Sequence, residues 1–281
     1  MNNFTSNFLK VNGINLHFLH YPNEGKKVLV LLHGLTANCF GFSGLVSNGL
    51  TENFELVISD LRGRGKSSRP AFGYSFKKHA DDILGLLKHF KEREIILVGY
   101  SFGGLLSSYL CYFHESIFKK IVFLDAAPDM NPKMPIMLET SIGRIGKVYN
   151  NQEDYFNQIK QAPFIDFWDN DMESYYSADI KTNENGTVES KSNLAQIIQI
   201  ATYIIKEPFT LYFKSIKHPS LLISGNGVYN VNEAILPSQL AAKAVGLLKN
   251  GKLFSVNGNH HSMLYGEYAK QVVEQINEFV T

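Results

Sequence analysis

Cysteine is scarce, with only Cys39 and Cys111 in 281 residues. They form no CxxC pair and are too few for a disulfide framework. Each reads as a small buried side chain, so the fold must rest on an apolar core. Charge of one sign is also missing: 27 Lys and Arg face 26 Asp and Glu. This leaves no basic footprint for nucleic acid and no long-range pull toward an anionic membrane. No apolar run approaches the roughly 18 residues of a membrane helix. The stretch Met1–Lys10 is polar and lacks the basic region and apolar core of a signal peptide, so a cytoplasmic protein is expected. No internal repeat or low-complexity tract appears.

What is present is a 44% hydrophobic composition, ordinary for a packed globular chain. The length suits one large domain, or one domain carrying a sizeable insertion. Phe8–Val11 and Ile14–Leu19 flank Asn12-Gly13 and read as a hairpin. Val28–Leu32, Phe54–Ser59, Ile95–Val98 and Ile121–Leu124 are short aliphatic runs, the mark of strands buried on both faces, although the length of the last alone does not exclude helix. Between them, Ser75–Phe90 repeats apolar residues at three- and four-residue steps, and Leu105–Phe113 is a second helical segment. Alternating strands and helices predict a mostly parallel sheet flanked by helices.

The alternation stops after Pro128. From 129 to 215 no buried-strand run appears, and the segment is rich in aromatics and Met. It reads as a mostly helical insertion. The rhythm resumes with Ser220–Ser224, Leu236–Leu248, Lys252–Val256 and Glu267–Val280. The expected division is a core of 1–128 and 216–281 with a cap of 129–215.

The strand Ile95–Val98 runs into Gly99-Tyr-Ser-Phe-Gly103. This is G-x-S-x-G between a strand and a helix, the context that gives the motif meaning. A sharp turn lifts Ser101 clear of the sheet, the flanking glycines let strand and helix approach, and the helix N-terminus favours a developing oxyanion.

With Leu31-Leu-His-Gly-Leu-Thr36 and Asp60-Leu-Arg-Gly-Arg-Gly-Lys-Ser67, this motif resembles the α/β-hydrolase family, over nearly the whole chain apart from the insertion. The resemblance implies the α/β-hydrolase fold with Ser101 as nucleophile. It implies an oxyanion hole of the Leu35 and Phe102 backbone N–H groups, with His33, Asp60, Arg62 and Arg64 as scaffold. It also implies a base in Val256-Asn-Gly-Asn-His-His-Ser-Met263, where His260 fits better than its neighbour His261. The other histidines, His17 and His79 among them, read as surface or capping groups.

The acid departs from the family pattern. The segment after the strand at 220–224 reads Gly225-Asn-Gly-Val-Tyr-Asn-Val-Asn-Glu233, with no Asp near the expected position at Val228. Asp125, ending the strand before the insertion, is the leading candidate. Glu233 and the amides Asn226, Asn230 and Asn232 are alternatives, and Asp129 a minor one.

The expected activity is hydrolysis of a carboxylic ester through a Ser-His-acid triad and an acyl-enzyme, without metal or organic cofactor. The expected partner is a small apolar or amphiphilic ester, neither nucleic acid nor membrane. Trp168, Phe167 and Tyr176 in the cap are the candidate substrate contacts. Lactone, thioester and C–C bond hydrolysis remain open on the same site, as does a non-catalytic binding protein. The sequence leaves the oligomeric state open.

Overall fold

The computed structural model describes residues 4–90 and 92–281; the first three residues of the polar N-terminal stretch lie outside these. Strands β1 (Thr5–Val11) and β2 (Ile14–Tyr21) pair antiparallel. Asn12 at φ 43 and Gly13 at φ 79 hold the two-residue turn in the left-handed region that matches strand twist. Next come β3 (Val28–Leu32), β4 (Glu55–Ser59), β5 (Ile95–Tyr100) and β6 (Phe118–Leu124). Later in the chain lie β7 (Val148–Tyr149), β8 (Ile180–Thr182) and β9 (Val188–Ser190). After them come β10 (Ser220–Gly225) and β11 (Gly251–Val256).

The main sheet has eight strands in the order β1-β2-β4-β3-β5-β6-β10-β11. Both pairings of β2 are antiparallel, and every other pairing is parallel. Alternation sends successive side chains of the central strands to opposite faces. Leu29, Leu31, Ile96 and Val98 face one apolar layer, which includes helix Gly266–Val280. Val28, Val30, Ile95 and Leu97 face the other, with helices Phe76–Leu87 and Phe102–Phe113. All residues of β3, β4 and β5 are buried, which is why these strands read as unbroken apolar runs.

Helix Phe102–Phe113 starts three residues before the expected Leu105, directly after Ser101. Between β6 and β10 the chain forms helices including Gln152–Lys160, Asn170–Asp179, Leu194–Ile204 and Phe209–Ser215. It also forms an antiparallel sheet ordered β7-β9-β8, which the sequence did not announce. These strands are two or three residues long, too short for a visible alternation. Tyr155, Met172, Tyr175 and Tyr176 of this segment belong to the same buried cluster as one face of the main sheet. Among the described residues, no helix is long and apolar enough to cross a membrane.

Candidate active site

The chemistry-bearing residues meet at the carboxyl ends of the parallel strands, where ligands sit in open α/β sheets. Ser101 follows β5 at φ 52 and ψ −118, a strained conformation for a residue with a Cβ. The glycines around it make the turn possible. A Cβ on Gly103 would lie 1.9 Å from the Leu32 carbonyl oxygen, and one on Gly99 2.5 Å from that of Gly103. A Cβ on Gly104 would lie 2.3 Å from that of Ala126. Close approach of three backbone segments is thus what the glycines buy.

Asp125, fully buried at the end of β6, also has positive φ, 47°. Its Oδ1 accepts the Gly225 N–H at 2.9 Å, and its Oδ2 lies 2.6 Å from His260 Nδ1. The expected hydrogen bond between these two side chains is therefore present. The Tyr100 hydroxyl donates to the His260 carbonyl at 2.7 Å, and its ring centroid lies 4.9 Å from the imidazole. Ser101 and His260 line one cavity together with Leu35, Tyr176 and Tyr229. The N–H groups of Leu35 and Phe102 donate to no acceptor among the described residues, which leaves both amides free for an anionic oxygen. Arg64 fixes the first of these loops by donating from Nε to the Leu35 carbonyl at 2.6 Å.

The alternative acids lie elsewhere. Glu233 sits at the surface, bonded to Lys133 Nζ at 2.5 Å and Asn131 Nδ2 at 2.6 Å. Asp129 pairs with Lys243 at 2.7 Å. Asn230 turns back to its own neighbour, accepting the Val231 N–H at 2.8 Å. Asn226 accepts from the Ser238 hydroxyl, and Asn232 is exposed. The segment after β10 serves another purpose. Cβ atoms on Gly225 and Gly227 would lie 2.8 Å and 2.7 Å from backbone oxygens of the loop carrying His260. These glycines form the bed for that loop.

Asn259 shapes the same loop, a role not read from the sequence. Its Oδ1 accepts the His261 and Ser262 N–H groups, and its Nδ2 donates to the Phe164 carbonyl at 2.9 Å. Asp166 accepts from Asn259 Nδ2 and the Ser262 hydroxyl. The signal was an Asn immediately before the histidine pair, a residue type that folds its side chain onto backbone N–H groups two and three positions ahead.

Two expected substrate contacts are displaced. Trp168 does not line the cavity; it stacks behind Tyr176 at 5.4 Å and 14°. Phe167 packs against Gly266 and Tyr268 instead. Only Tyr176 of the three faces the cavity. Large flat rings lose so much exposed apolar area on packing that they stack on one another first.

Among the described residues, Arg144 is the one Lys or Arg side chain lining this cavity, and it is spent. Its Nε meets Asp179 Oδ2 at 3.0 Å, and its terminal nitrogens meet the Thr36 carbonyl at 2.9 Å, the Ser141 carbonyl, Thr36 Oγ1 and Asp179 Oδ1. That engages all five N–H groups of a guanidinium. Arg144 therefore joins the segment between β6 and β10 to the loop carrying Leu35 and has no donor left for a ligand carboxylate.

His33 is held as a scaffold group: its Nε2 accepts the Leu61 N–H at 3.0 Å, and its Nδ1 donates to the Gly34 carbonyl at 2.8 Å. His17 and His79, expected at the surface or as caps, are buried. His17 bonds Asp60 at 2.6 Å and Ser6 at 2.8 Å, while Asp60 also accepts the Cys39 and Lys66 N–H groups. The period-2 pattern of β2 hid this, because a histidine facing a buried carboxylate looks like any polar residue of an edge hairpin. Arg62 chelates Asp82 with two bonds of 2.6 Å.

Burial holds three imidazoles neutral. It lowers His33 from 6.5 to about 4, His79 to about 3 and His261 to about 3, the last helped by nearby His260 and Arg144. Such a group contributes its full stability above the unfolded value of 6.5 and loses it as pH falls toward the folded value. By pH 4.5 each should have lost about 2–3 kcal/mol, about 8 together, comparable to a whole domain's stability. We expect cooperative acid unfolding between about pH 6 and pH 4, followed by Trp168 fluorescence and circular dichroism. A melting temperature that stays flat from neutral pH down through this window would contradict it.

These features define a hydrolase of the α/β class. The chain belongs to the α/β-hydrolase fold family, whose model matches residues 27–267. It is 24% identical to an uncharacterized hydrolase of Bacillus subtilis (strain 168), over 96% of each chain. It is 22% identical to the bifunctional esterase/perhydrolase DCH of Acinetobacter calcoaceticus, over 89% of this chain and 91% of that one. The crystal structure of E-2-(acetamidomethylene)succinate hydrolase superposes with a TM-score of 0.85 over 99% of both chains at 18% identity.

Proposed function

We propose that this protein hydrolyses a carboxylic ester through Ser101, His260 and Asp125, with residues 129–215 as a cap over the site. The observation that carries the reading is the 2.6 Å contact of Asp125 with His260 Nδ1, on an imidazole sharing a cavity with Ser101. A carboxylate there keeps the proton on Nδ1 and leaves Nε2 as the base. The Ser101 Oγ adds to the ester carbonyl carbon while His260 takes its proton. The carbonyl oxygen becomes an oxyanion held by the N–H groups of Leu35 and Phe102. Collapse breaks the bond to the alcohol oxygen, which leaves with the proton from His260. Water, deprotonated by the same imidazole, then cleaves the acyl-enzyme and returns Ser101. No free cation lines the cavity among the described residues, which favours an uncharged, apolar or amphiphilic substrate.

A fluorophosphonate probe tests this. The wild type should label stoichiometrically, the labelled protein should lose ester turnover, and S101A should not label. A protein that turns over esters without labelling at Ser101 does not use this mechanism, and one that does neither is not an ester hydrolase of this kind.

A further inference from the structure

Two cavities open on Ser101, and they differ in size and chemistry. The one lined by His260, His261 and Tyr229 has a volume of about 80 Å³. The other has about 520 Å³, within the range of about 300–1,000 Å³ typical of small-molecule sites. It is walled by Leu105, Ala127, Met130, Met134, Ile204 and Phe209. Ser101 and Leu35 line both cavities, whereas Phe102 lines only the large one and His260 only the small one.

Chemistry decides which half of an ester goes where. The alcohol oxygen must leave within reach of the proton on His260, so the alcohol belongs in the small cavity. The acyl chain carries no atom that needs the imidazole and can extend away from it, past the oxyanion amides. On the ester-hydrolase reading above, we infer that the large groove is the acyl subsite, and that the substrate is an ester of an apolar medium-chain acid with a small alcohol. The walls suit such a chain: apart from Ser101, Asp129, Asn131, Glu207 and Thr210, the residues lining the groove are apolar. Ile205 at its edge is 86% exposed, so a longer chain can run out to solvent.

Two isomeric esters separate the halves: methyl octanoate places its chain on the acyl side, heptyl acetate on the alcohol side. The wild type should prefer methyl octanoate by at least about tenfold in kcat/KM. Along the methyl esters from acetate to octanoate, kcat/KM should rise by up to about fourfold per methylene, as burial of each group predicts. Filling the groove with Ile204→Trp should lower the octanoate-to-acetate ratio by about tenfold or more. Heptyl acetate preferred or equal, or a ratio unmoved in I204W, would overturn the assignment. Fluorophosphonate labelling of the same preparations separates the failures. If Ser101 labels and esters turn over in the wrong order, only the groove assignment falls. If Ser101 does not label and neither ester is hydrolysed, the ester-hydrolase reading falls and this inference with it.

Discussion

Asp125→Asn should cut ester turnover by on the order of 10⁴-fold while leaving the fold intact, the size of effect that the same swap has in serine proteases of another fold. The geometry explains why so small a change should matter. One carboxylate oxygen of Asp125 accepts the Gly225 N–H, and the other accepts from His260 Nδ1. An Asn has only one oxygen. Facing its amide NH₂ toward Gly225 would set two donors against each other in a buried site, so the oxygen should stay there. The NH₂ then points at His260 Nδ1, which must become an acceptor. The proton moves to Nε2, and the imidazole can no longer take one from Ser101. The backbone is not a reason for failure, since Asp125 sits at φ 47 and Asn adopts positive φ at least as readily. The measurement is kcat/KM for a methyl ester, with melting temperature as the control for folding. E233Q and N230A, both remote from the imidazole, should change kcat/KM by less than about threefold. A large loss in E233Q with a mild one in D125N would show that the acid lies in the segment after β10.

Ser101→Ala should lower turnover by about three orders of magnitude or more and leave the melting temperature nearly unchanged. Alanine keeps the Cβ, so the strained φ of 52 costs the variant what it costs the wild type. The hydroxyl itself makes no hydrogen bond among the described residues that its loss would break; the Ser101 backbone, by contrast, is fixed by its N–H donating to the Leu124 carbonyl at 3.0 Å. A variant that keeps most of its esterase activity would falsify the assignment of the nucleophile.

The parts of this molecule that could be read from sequence are those governed by local rules. Val28–Leu32 and Ile95–Val98 are unbroken apolar runs because those strands are covered on both faces. Asn12-Gly13 marks a hairpin because only such residues take its turn. Gly99, Gly103 and Gly104 mark the elbow because any Cβ there meets backbone or Ala126. The unread parts depend on partners far along the chain. His17 looks like a surface residue until Asp60, 43 positions on, faces it. Trp168 and Phe167 look like substrate contacts until Tyr176 and Tyr268 claim their faces. Asn259 acts through Phe164 and Asp166 of the segment between β6 and β10, contacts more than ninety residues apart that no periodicity encodes. The three-stranded sheet is likewise held by register between pieces too short to show a pattern.

The central claim is that Ser101 carries the acyl group during turnover. The direct measurement is rapid mixing with an activated ester, acid quench and peptide mass spectrometry. The account predicts an adduct of one acyl mass on the peptide containing Gly99–Gly103, appearing in step with a burst of released alcohol and absent from S101A. An adduct on another side chain, or steady turnover in which no acyl-enzyme forms at any ester chain length, would contradict it.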